Sequence, residues 1–395
     1  MAGSRLGGAL EVLWVFLRLG LTSFGGPVAH LGYFHAEFVQ RRRWLAEQDY
    51  ADLVALCQFL PGPASSQFGI AVGLGRAGWL GALAAWAGFT LPSALLLIAF
   101  ALGVGALAGP VAAGAIHGLK VVAVAVVAQA VWGMAKSLCP DRLRAGIALA
   151  AAGVAVLLPG AGGQLGAIVL GGLVARWVLP VMPLPAAQHL DYGVSRRQGA
   201  ALLALCGVLL VALPLLAALT GAVGLAVVAV FFKAGALVFG GGHVMLPLLQ
   251  AGVVPPGWVS SDVFLAGYGA AQAVPGPLFT FAAYLGAAMG PPLGGWAGGG
   301  LLLLAIFVPA FLLITGALPF WEALRHRDGI RRALAGVNAA VVGILGAALY
   351  DPVWTGAIHS RADFCLALAA YGLLVVGRVP PVAVVGFCAV VGVWM

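Results

Sequence analysis

Two basic side chains interrupt long apolar runs of this 395-residue sequence, Arg18 and Lys233. On insertion scales an ionised side chain at the centre of a membrane helix costs at least about 2.5–3.5 kcal/mol, so it is rare unless it faces a pathway or a partner. Guanidinium and ammonium groups bind oxyanions. We therefore interpret both residues as candidate anion ligands. The alternative is that each side chain extends to a membrane interface or, for Arg18, pairs with Glu11.

Each of these cations is followed by a glycine pair. Phe24-Gly25-Gly26 follows Arg18, and Phe239-Gly240-Gly241 follows Lys233, at a constant offset of 215 residues. Adjacent glycines are costly in a helix interior. In a membrane they permit either close helix packing or an unwound stretch whose backbone N–H groups are free to bind a ligand. We predict that two such stretches line an anion site, with Ser23, Phe24, Gly25, Gly26, Phe239, Gly240 and Gly241 as its residues.

A Pro-Gly-Pro motif also occurs twice, as Pro61-Gly62-Pro63 and Pro275-Gly276-Pro277. Proline removes a backbone donor and clashes with the preceding turn, so each motif is predicted to divide its segment into half-helices or a re-entrant hairpin. A half-helix that starts after the break directs its N–H groups and positive dipole end at an anion. A kink without function is the alternative. Polar side chains at equivalent positions flank both motifs and are further candidates: Gln58, Ser66, Gln272 and Thr280.

The duplicated motifs indicate that the chain is a fused repeat. The correspondence extends to Trp44 with Trp258 and to Pro92 with Pro309. Lys120 aligns with Asn338, and we include both as weaker candidates for the site because Lys120 is the third basic residue within the apolar segments.

Other polar residues carry weaker signals. We interpret the histidines in or near apolar runs, His30, His117 and His243, as packed or interfacial residues. The chain has no nucleotide-binding loop, zinc-protease motif, haem attachment motif or nucleophile elbow. We therefore expect neither an enzyme nor a protein that needs a metal or cofactor.

Composition determines the class of protein that must position these residues. The chain is 63% hydrophobic and 8% charged, with a mean hydropathy of +1.08, whereas a soluble domain carries roughly a quarter charged residues. This excludes a soluble protein and predicts an all-α polytopic membrane protein in a lipid bilayer. A nucleic-acid partner is not expected, because no loop is long enough for a solvated basic domain.

The apolar segments fall into two sets of six around one connecting segment. We predict a first repeat at 1–182, a linker with one connecting helix at 183–221 and a second repeat at 222–395. Seven segments precede the second repeat, so the halves would have opposite orientations, as in many secondary transporters. The expected fold is a duplicated helical bundle of inverted-topology repeats with broken or re-entrant helices.

The net charge of +8 tests this topology, because Lys and Arg concentrate in cytoplasmic loops. If all thirteen segments cross from a cytoplasmic N-terminus, most of the 20 Lys and Arg residues are cytoplasmic. The run Arg41-Arg42-Arg43 is the clear exception. It leaves an alternative in which the first or second segment is re-entrant and does not cross.

The motifs around Arg18, both glycine pairs and both Pro-Gly-Pro breaks together resemble the chromate ion transporter family in its long, two-domain form. The resemblance implies export of chromate from the bacterial cytoplasm across the plasma membrane, with chromate resistance as the outcome and sulfate as a chemically similar competitor. Two other functions stay open: a sulfate or other oxyanion permease, and a passive anion channel or membrane scaffold. A homodimer is compatible with the sequence.

Overall fold

We analysed a computed structural model that describes residues 2–24, 26–106, 110–158, 160–180, 192–239 and 242–395. Every regular element among these residues is helical. The first half contains α1 (Ala2–Thr22), α2 (Gly26–His35), α3 (Glu47–Phe59), α4 (Ala64–Ala106), α5 (Pro110–Leu138), α6 (Arg142–Leu157) and α7 (Ala161–Val178), followed by α8 (Arg196–Thr220). The second half contains α9 (Val223–Leu237), α10 (Met245–Val253), α11 (Ser261–Ala271), α12 (Phe281–Ala288), α13 (Gly295–Ala317), α14 (Trp321–Arg325), α15 (Asp328–Ala348), α16 (Arg361–Val375) and α17 (Pro381–Gly392). Residues 183–191 of the predicted linker lie outside the described residues, and α8 supplies its connecting helix.

Helix α4 consists of two parts. Ala77 and Gly78 have non-helical dihedral angles, and Gly78 has a φ of +65°. We call the parts α4a (residues 64–76) and α4b (residues 79–106). They pack against each other through Gly73 and Gly81, where added Cβ atoms would clash with the opposite backbone. In the second half, α12 and α13 are separate helices that pack equivalently through Gly286 and Gly298.

Five helical stretches among the described residues are long and apolar enough to cross a membrane. They lie at 64–103, 111–138, 196–220, 295–324 and 328–354. These stretches include α4b, α5, α8, α13 and α15, which the bilayer requirement of about 20 apolar residues also selects. The molecule is therefore a multi-pass membrane protein, as the composition predicts.

The two halves have opposite orientations. Helices α4b and α13 are equivalent in the repeat, and they run antiparallel where they touch. Ile98 packs against Gly299, while Trp86 packs edge-on against Phe311 with ring centroids 6.0 Å apart. In the described part of the connection, one helix, α8, joins the halves. The structure thus confirms the predicted duplicated bundle with inverted repeats.

The first two segments of the first half each reverse direction at a helix break. Glu11, in the middle of α1, accepts hydrogen bonds from Arg42 at 2.9 Å and from Arg76 at 3.5 Å, so these residues lie at the same end of the bundle. From Glu11 to Thr22, α1 rises about 16 Å, roughly half of the 30 Å hydrocarbon core. The chain then returns along α2, and it returns again along α4a after α3. These contacts favour the re-entrant alternative over a topology in which all thirteen segments cross.

This arrangement explains the Arg41–Arg43 run. Arg41 and Arg42 both donate to Glu37, which lies in the π-helical turn Ala36–Arg41. Burial alone would raise the pKa of Glu37, but hydrogen bonds from Arg42 and Arg41 and their charges outweigh burial and lower it. We call this end of the bundle the Arg76 end. It also carries Lys136, Arg142, Arg144, Arg176, Arg196, Arg197, Arg327, Arg331 and Arg332, so the positive-inside rule predicts that this end faces the cytoplasm.

An aromatic cluster fixes the first pair of hairpins to α4b. The buried rings of Phe16, Phe34, Phe38, Phe68 and Phe89 have centroids 5.3–6.4 Å apart. They come from α1, α2, the π-helical turn, α4a and α4b. Because core side chains pack at crystal-like density, this cluster sets the depth at which the breaks after α1 and α3 lie.

Candidate functional site

The two Pro-Gly-Pro tips each contact the break of the opposite half. The Gly62 amide donates to the Val238 carbonyl at 2.6 Å, and the Gly276 amide donates to the Ser23 carbonyl at 2.9 Å. Ser23 and Val238 are equivalent in the repeat, as are Gly62 and Gly276. The two hydrogen bonds are therefore equivalent, and a pseudo-twofold axis at the centre of the bundle relates them.

Both tips require glycine. Gly62 has a φ of +115° and Gly276 a φ of +93°, values that side chains strongly disfavour. A Cβ on Gly62 would lie 2.8 Å from Gln67 Nε2, and one on Gly276 would lie 3.0 Å from the Phe89 carbonyl oxygen. The tips are thus tightly held by conformation and by packing.

Side-chain donors anchor the carbonyl groups of the tips. Gln67 Nε2 donates to the Pro61 carbonyl at 2.7 Å, and Ser93 Oγ on α4b donates to the Pro275 carbonyl. At the second tip, Thr280 Oγ1 donates to the Pro277 carbonyl at 2.8 Å. These bonds occupy the tip carbonyls, and the tip amides of Gly62 and Gly276 are occupied by their bonds to Val238 and Ser23.

Several helices begin at this centre. Helix α4a starts directly after Pro63, and a 3₁₀ turn that leads into α12 starts directly after Pro277. Helix α2 starts at Gly26, and the 3₁₀ turn before α10 starts at Gly242. Gly242 packs against Leu278, with a distance of 3.3 Å from its added Cβ to Leu278 Cβ. Helix starts carry unpaired N–H groups and partial positive charge, the features that bind anions.

Polar side chains around the tips are buried without hydrogen-bond partners in the structure. Native proteins contain few such groups, and each calls for an explanation such as a bound ligand or ion. His30 illustrates the pattern, because its Nε2 contacts the Ser23 carbonyl at 3.2 Å while its Nδ1 is unpaired. The unpaired atoms near the tips and breaks are Ser23 Oγ, His30 Nδ1, Ser66 Oγ, Gln67 Oε1, Thr90 Oγ1, Gln272 Nε2 and Asn338 Oδ1.

The two candidate cations lie in different surroundings. Arg18 is exposed, on the face of α1 that carries Trp14 and Leu21, which are 69% and 52% exposed. Lys233 is half-buried. The difference arises because α8 covers α9, where Cys206 packs with Phe232, whereas no described helix covers the equivalent face of α1.

Other predicted residues lie apart from the tip contacts. Gln58 is exposed on α3. Lys120 forms an ion pair with Asp262 at 2.9 Å, and His117, one turn earlier on α5, pairs with Asp363 at 2.7 Å. Both pairs join α5 of the first half to helices of the second half, at the end opposite Arg76. We call this the Asp262 end.

The glycine pairs are only partly described. Gly25, Gly240 and Gly241 lie outside the described residues. Gly26 is described with a φ of +77°, and Phe24 and Phe239 are half-buried.

Three polar residues near the tips were not predicted from the sequence as site residues: Gln67, Thr90 and Ser93. Each is a polar residue within an apolar run. Polarity within an apolar segment was the available signal, but it does not reveal which face of a helix points to the centre.

The chain is similar in sequence to proteins described as chromate or probable chromate transport proteins. The chain is 30% identical to a chromate transport protein of Pseudomonas aeruginosa over 349 residues, which cover 85% of this chain and 79% of the relative. It is 28% identical to a chromate transport protein of Cupriavidus metallidurans, with 86% and 81% coverage. It is 27% identical to a probable chromate transport protein of Synechococcus elongatus, with 90% and 87% coverage. No solved structure matches the chain.

The match to a family profile also shows the duplication of the chain. The profile described as chromate transporter matches twice, at residues 10–225 and 225–393. The two matches together cover nearly the whole chain, and they correspond to the two inverted halves. The protein belongs to the chromate transporter family and is a multi-pass membrane transporter.

Proposed function

We propose that this protein is a secondary transporter that exports chromate from the cytoplasm and thereby confers chromate resistance. The observation that carries the proposal is the reciprocal pair of bonds from Gly62 to Val238 and from Gly276 to Ser23. These bonds bring helix starts and unpaired polar side chains from both halves together at the middle of the bundle. Three relatives named as chromate or probable chromate transport proteins support chromate as the substrate.

The chemistry of the centre suits a tetrahedral dianion. Backbone N–H groups and hydroxyls supply directed hydrogen bonds to its oxygens, and hydrogen bonds to an ionised acceptor are roughly twice as strong as neutral ones. Lys233 is the cation that we assign to this site, because it is sheltered and lies near the second break. The proposed site residues are Ser23, Phe24, Gly25, Gly26, Pro61, Gly62, Pro63, Ser66, Lys233, Phe239, Gly240, Gly241, Gln272, Pro275, Gly276, Pro277, Thr280 and Asn338.

The remaining predicted residues receive other roles in the proposal. Lys120 acts in the closure of the Asp262 end through its ion pair with Asp262. Arg18 and Gln58 lie on exposed faces and are not assigned to the central site.

The inverted repeat supplies a route to alternating access. In such transporters one repeat rocks or gates against the other around a fixed central site. The predicted repeats at 1–182 and 222–395 are the two units in this proposal. Ion pairs join them at the Asp262 end, so we propose that this end is closed and that it opens to release the anion.

The membrane potential favours export. A potential of 100 mV, negative inside, acts on each elementary charge with about 2.3 kcal/mol, so roughly 4.6 kcal/mol favours exit of an uncompensated dianion. Export therefore needs no nucleotide hydrolysis, and a proton exchanged in the opposite direction would add to the driving force.

Transport into inside-out vesicles tests the proposal, because the cytoplasmic face then points outward. Saturable uptake with preference for chromate over sulfate supports the exporter. A preference for sulfate supports the oxyanion permease, and a flux that does not saturate supports the passive channel. Uptake no faster than in vesicles without the protein leaves only the membrane scaffold.

A further inference from the structure

A histidine and a tyrosine form an isolated polar pair beside the second break. His243 lies in the 3₁₀ turn Gly242–Val244, just after the glycine pair. Its Nδ1 is 2.6 Å from the hydroxyl oxygen of Tyr268 on α11. Tyr268 is fully buried, and its ring packs edge-on against Phe281, with centroids 5.8 Å apart. The pair thus lies in apolar surroundings that hold both rings in place.

The chemistry of this hydrogen bond determines which nitrogen of His243 carries the proton. A phenol is a better donor than a neutral imidazole N–H, and an imidazole nitrogen is a better acceptor than a phenol oxygen. The Tyr268 hydroxyl therefore donates to Nδ1. In a neutral histidine one ring nitrogen accepts and the other donates, so Nε2 of His243 carries the hydrogen.

Nε2 of His243 faces the break of the opposite half. A Cβ built on Gly26 would lie 3.9 Å from this atom, and Gly26 is the first residue of α2. The N–H group of His243 is therefore directed toward the start of a helix from the first half, across the interface at which the proposed site lies.

The first half of the chain has no counterpart of the His243–Tyr268 pair. The residues equivalent to His243 and Tyr268 in the first half are Val28 and Val54. The pair is thus an asymmetric addition to a pseudo-symmetric centre.

We infer that His243 is a recognition residue for the transported oxyanion, whose Nε2–H donates to one anion oxygen while Tyr268 fixes the tautomer and ring orientation. This inference rests on the proposed function and deepens it. It assigns His243 a role in binding, whereas the sequence indicated only a packed or interfacial histidine.

Two substitutions of His243 separate binding from packing. Asparagine places an amide oxygen near the position of Nδ1, so H243N keeps the acceptor for Tyr268 and removes the donor to the anion. Glutamine extends an amide N–H to the position of Nε2, so H243Q keeps a donor to the anion and loses the bond with Tyr268. Exposed His326 provides a matched control, H326N.

The experiment measures the affinity for chromate by calorimetry on the purified full-length protein in lipid nanodiscs, with the KM for vesicle uptake as a second readout. Hydrogen bonds to charged groups contribute enough for a loss of about ten- to hundredfold in affinity, which we expect for H243N. H243Q should recover at least tenfold of that loss, and Y268F should show an intermediate affinity. H326N should bind as the wild type does.

An affinity of H243N within threefold of the wild type would overturn the inference. Equal losses for H243N and H243Q, with a lowered melting temperature for both, would also overturn it, because they would indicate a structural role. If the wild-type protein binds neither chromate nor sulfate, the proposed function fails at that point, independently of His243.

Discussion

The Gly276 amide donates a hydrogen bond to the Ser23 carbonyl, which joins the Pro-Gly-Pro tip of one half to the helix break of the other. The equivalent bond from Gly62 to Val238 completes a reciprocal pair. Any movement of one half against the other must therefore change both tips together. A site built at these contacts is coupled to the relative position of the halves, as alternating access requires.

Substitution of a tip glycine should reduce transport, whereas the same substitution at a distant glycine should not. G276A places a side chain at a φ of +93° and against Ser93 and Phe89. Such backbone strain alone costs about 1–3 kcal/mol. We expect a reduction in chromate uptake of at least about tenfold, the change that 1.36 kcal/mol produces in a rate.

Gly133 is the control for this substitution. It lies within α5, and nothing lies within 4 Å of its added Cβ, so G133A should keep wild-type uptake and melting temperature. Equal uptake by G276A and G133A would show that the tip conformation is unimportant for transport.

Removal of the two candidate cations should have unequal effects. K233A removes a half-buried charge beside the second break and should reduce chromate uptake at least about tenfold, because hydrogen bonds to charged groups contribute 1.5–3 kcal/mol. R18A removes a charge from an exposed face and should leave uptake within about threefold of the wild type. A larger loss in R18A than in K233A would contradict our assignment of the central cation.

The re-entrant topology predicts which side of the membrane each end faces. In a cysteine-free background, R43C at the Arg76 end should react with an impermeant maleimide in inside-out vesicles and not in intact cells. D262C should show the opposite pattern. Labelling of R43C from outside intact cells would restore the topology in which the first segment crosses.

The Lys120–Asp262 ion pair should respond to charge reversal. Asp262 has a side chain that is 70% exposed, so the pair contributes about 0.2–1 kcal/mol. The single variants K120D and D262K should each increase the rate at which a cysteine near the centre is labelled from outside, and the double variant should return it to the wild-type rate. If the double variant labels as fast as the single variants, the two residues do not act as a pair.

Much of the architecture could be predicted from the residues alone. Composition gives a membrane protein, the 215-residue offset gives the duplication, and Pro-Gly-Pro gives breaks, because these depend on local chemistry. The sequence left open whether α1 turns back at its break, since this depends on the ion pairs of Glu11 with Arg42 and Arg76.

The surroundings of equivalent residues were also not predictable. Arg18 and Lys233 match in sequence, yet α8 covers only the second half, and a repeat alignment contains no information on which face a connecting helix covers. Gln67 and Ser93 were missed for a related reason, because their roles depend on carbonyls far along the chain or on a turn that only the folded tip presents.

The central claim is that the crossed tips form a chromate site through which the anion leaves the cytoplasm. The most direct measurement is the initial rate of chromate uptake into energised inside-out vesicles, for the wild type and for the double variant G62A/G276A at equal protein content. We predict saturable uptake by the wild type that sulfate inhibits only at higher concentration, and loss of that uptake in the double variant. Saturable uptake of equal rate in both proteins would contradict the claim, as would a wild-type rate no higher than in vesicles without the protein.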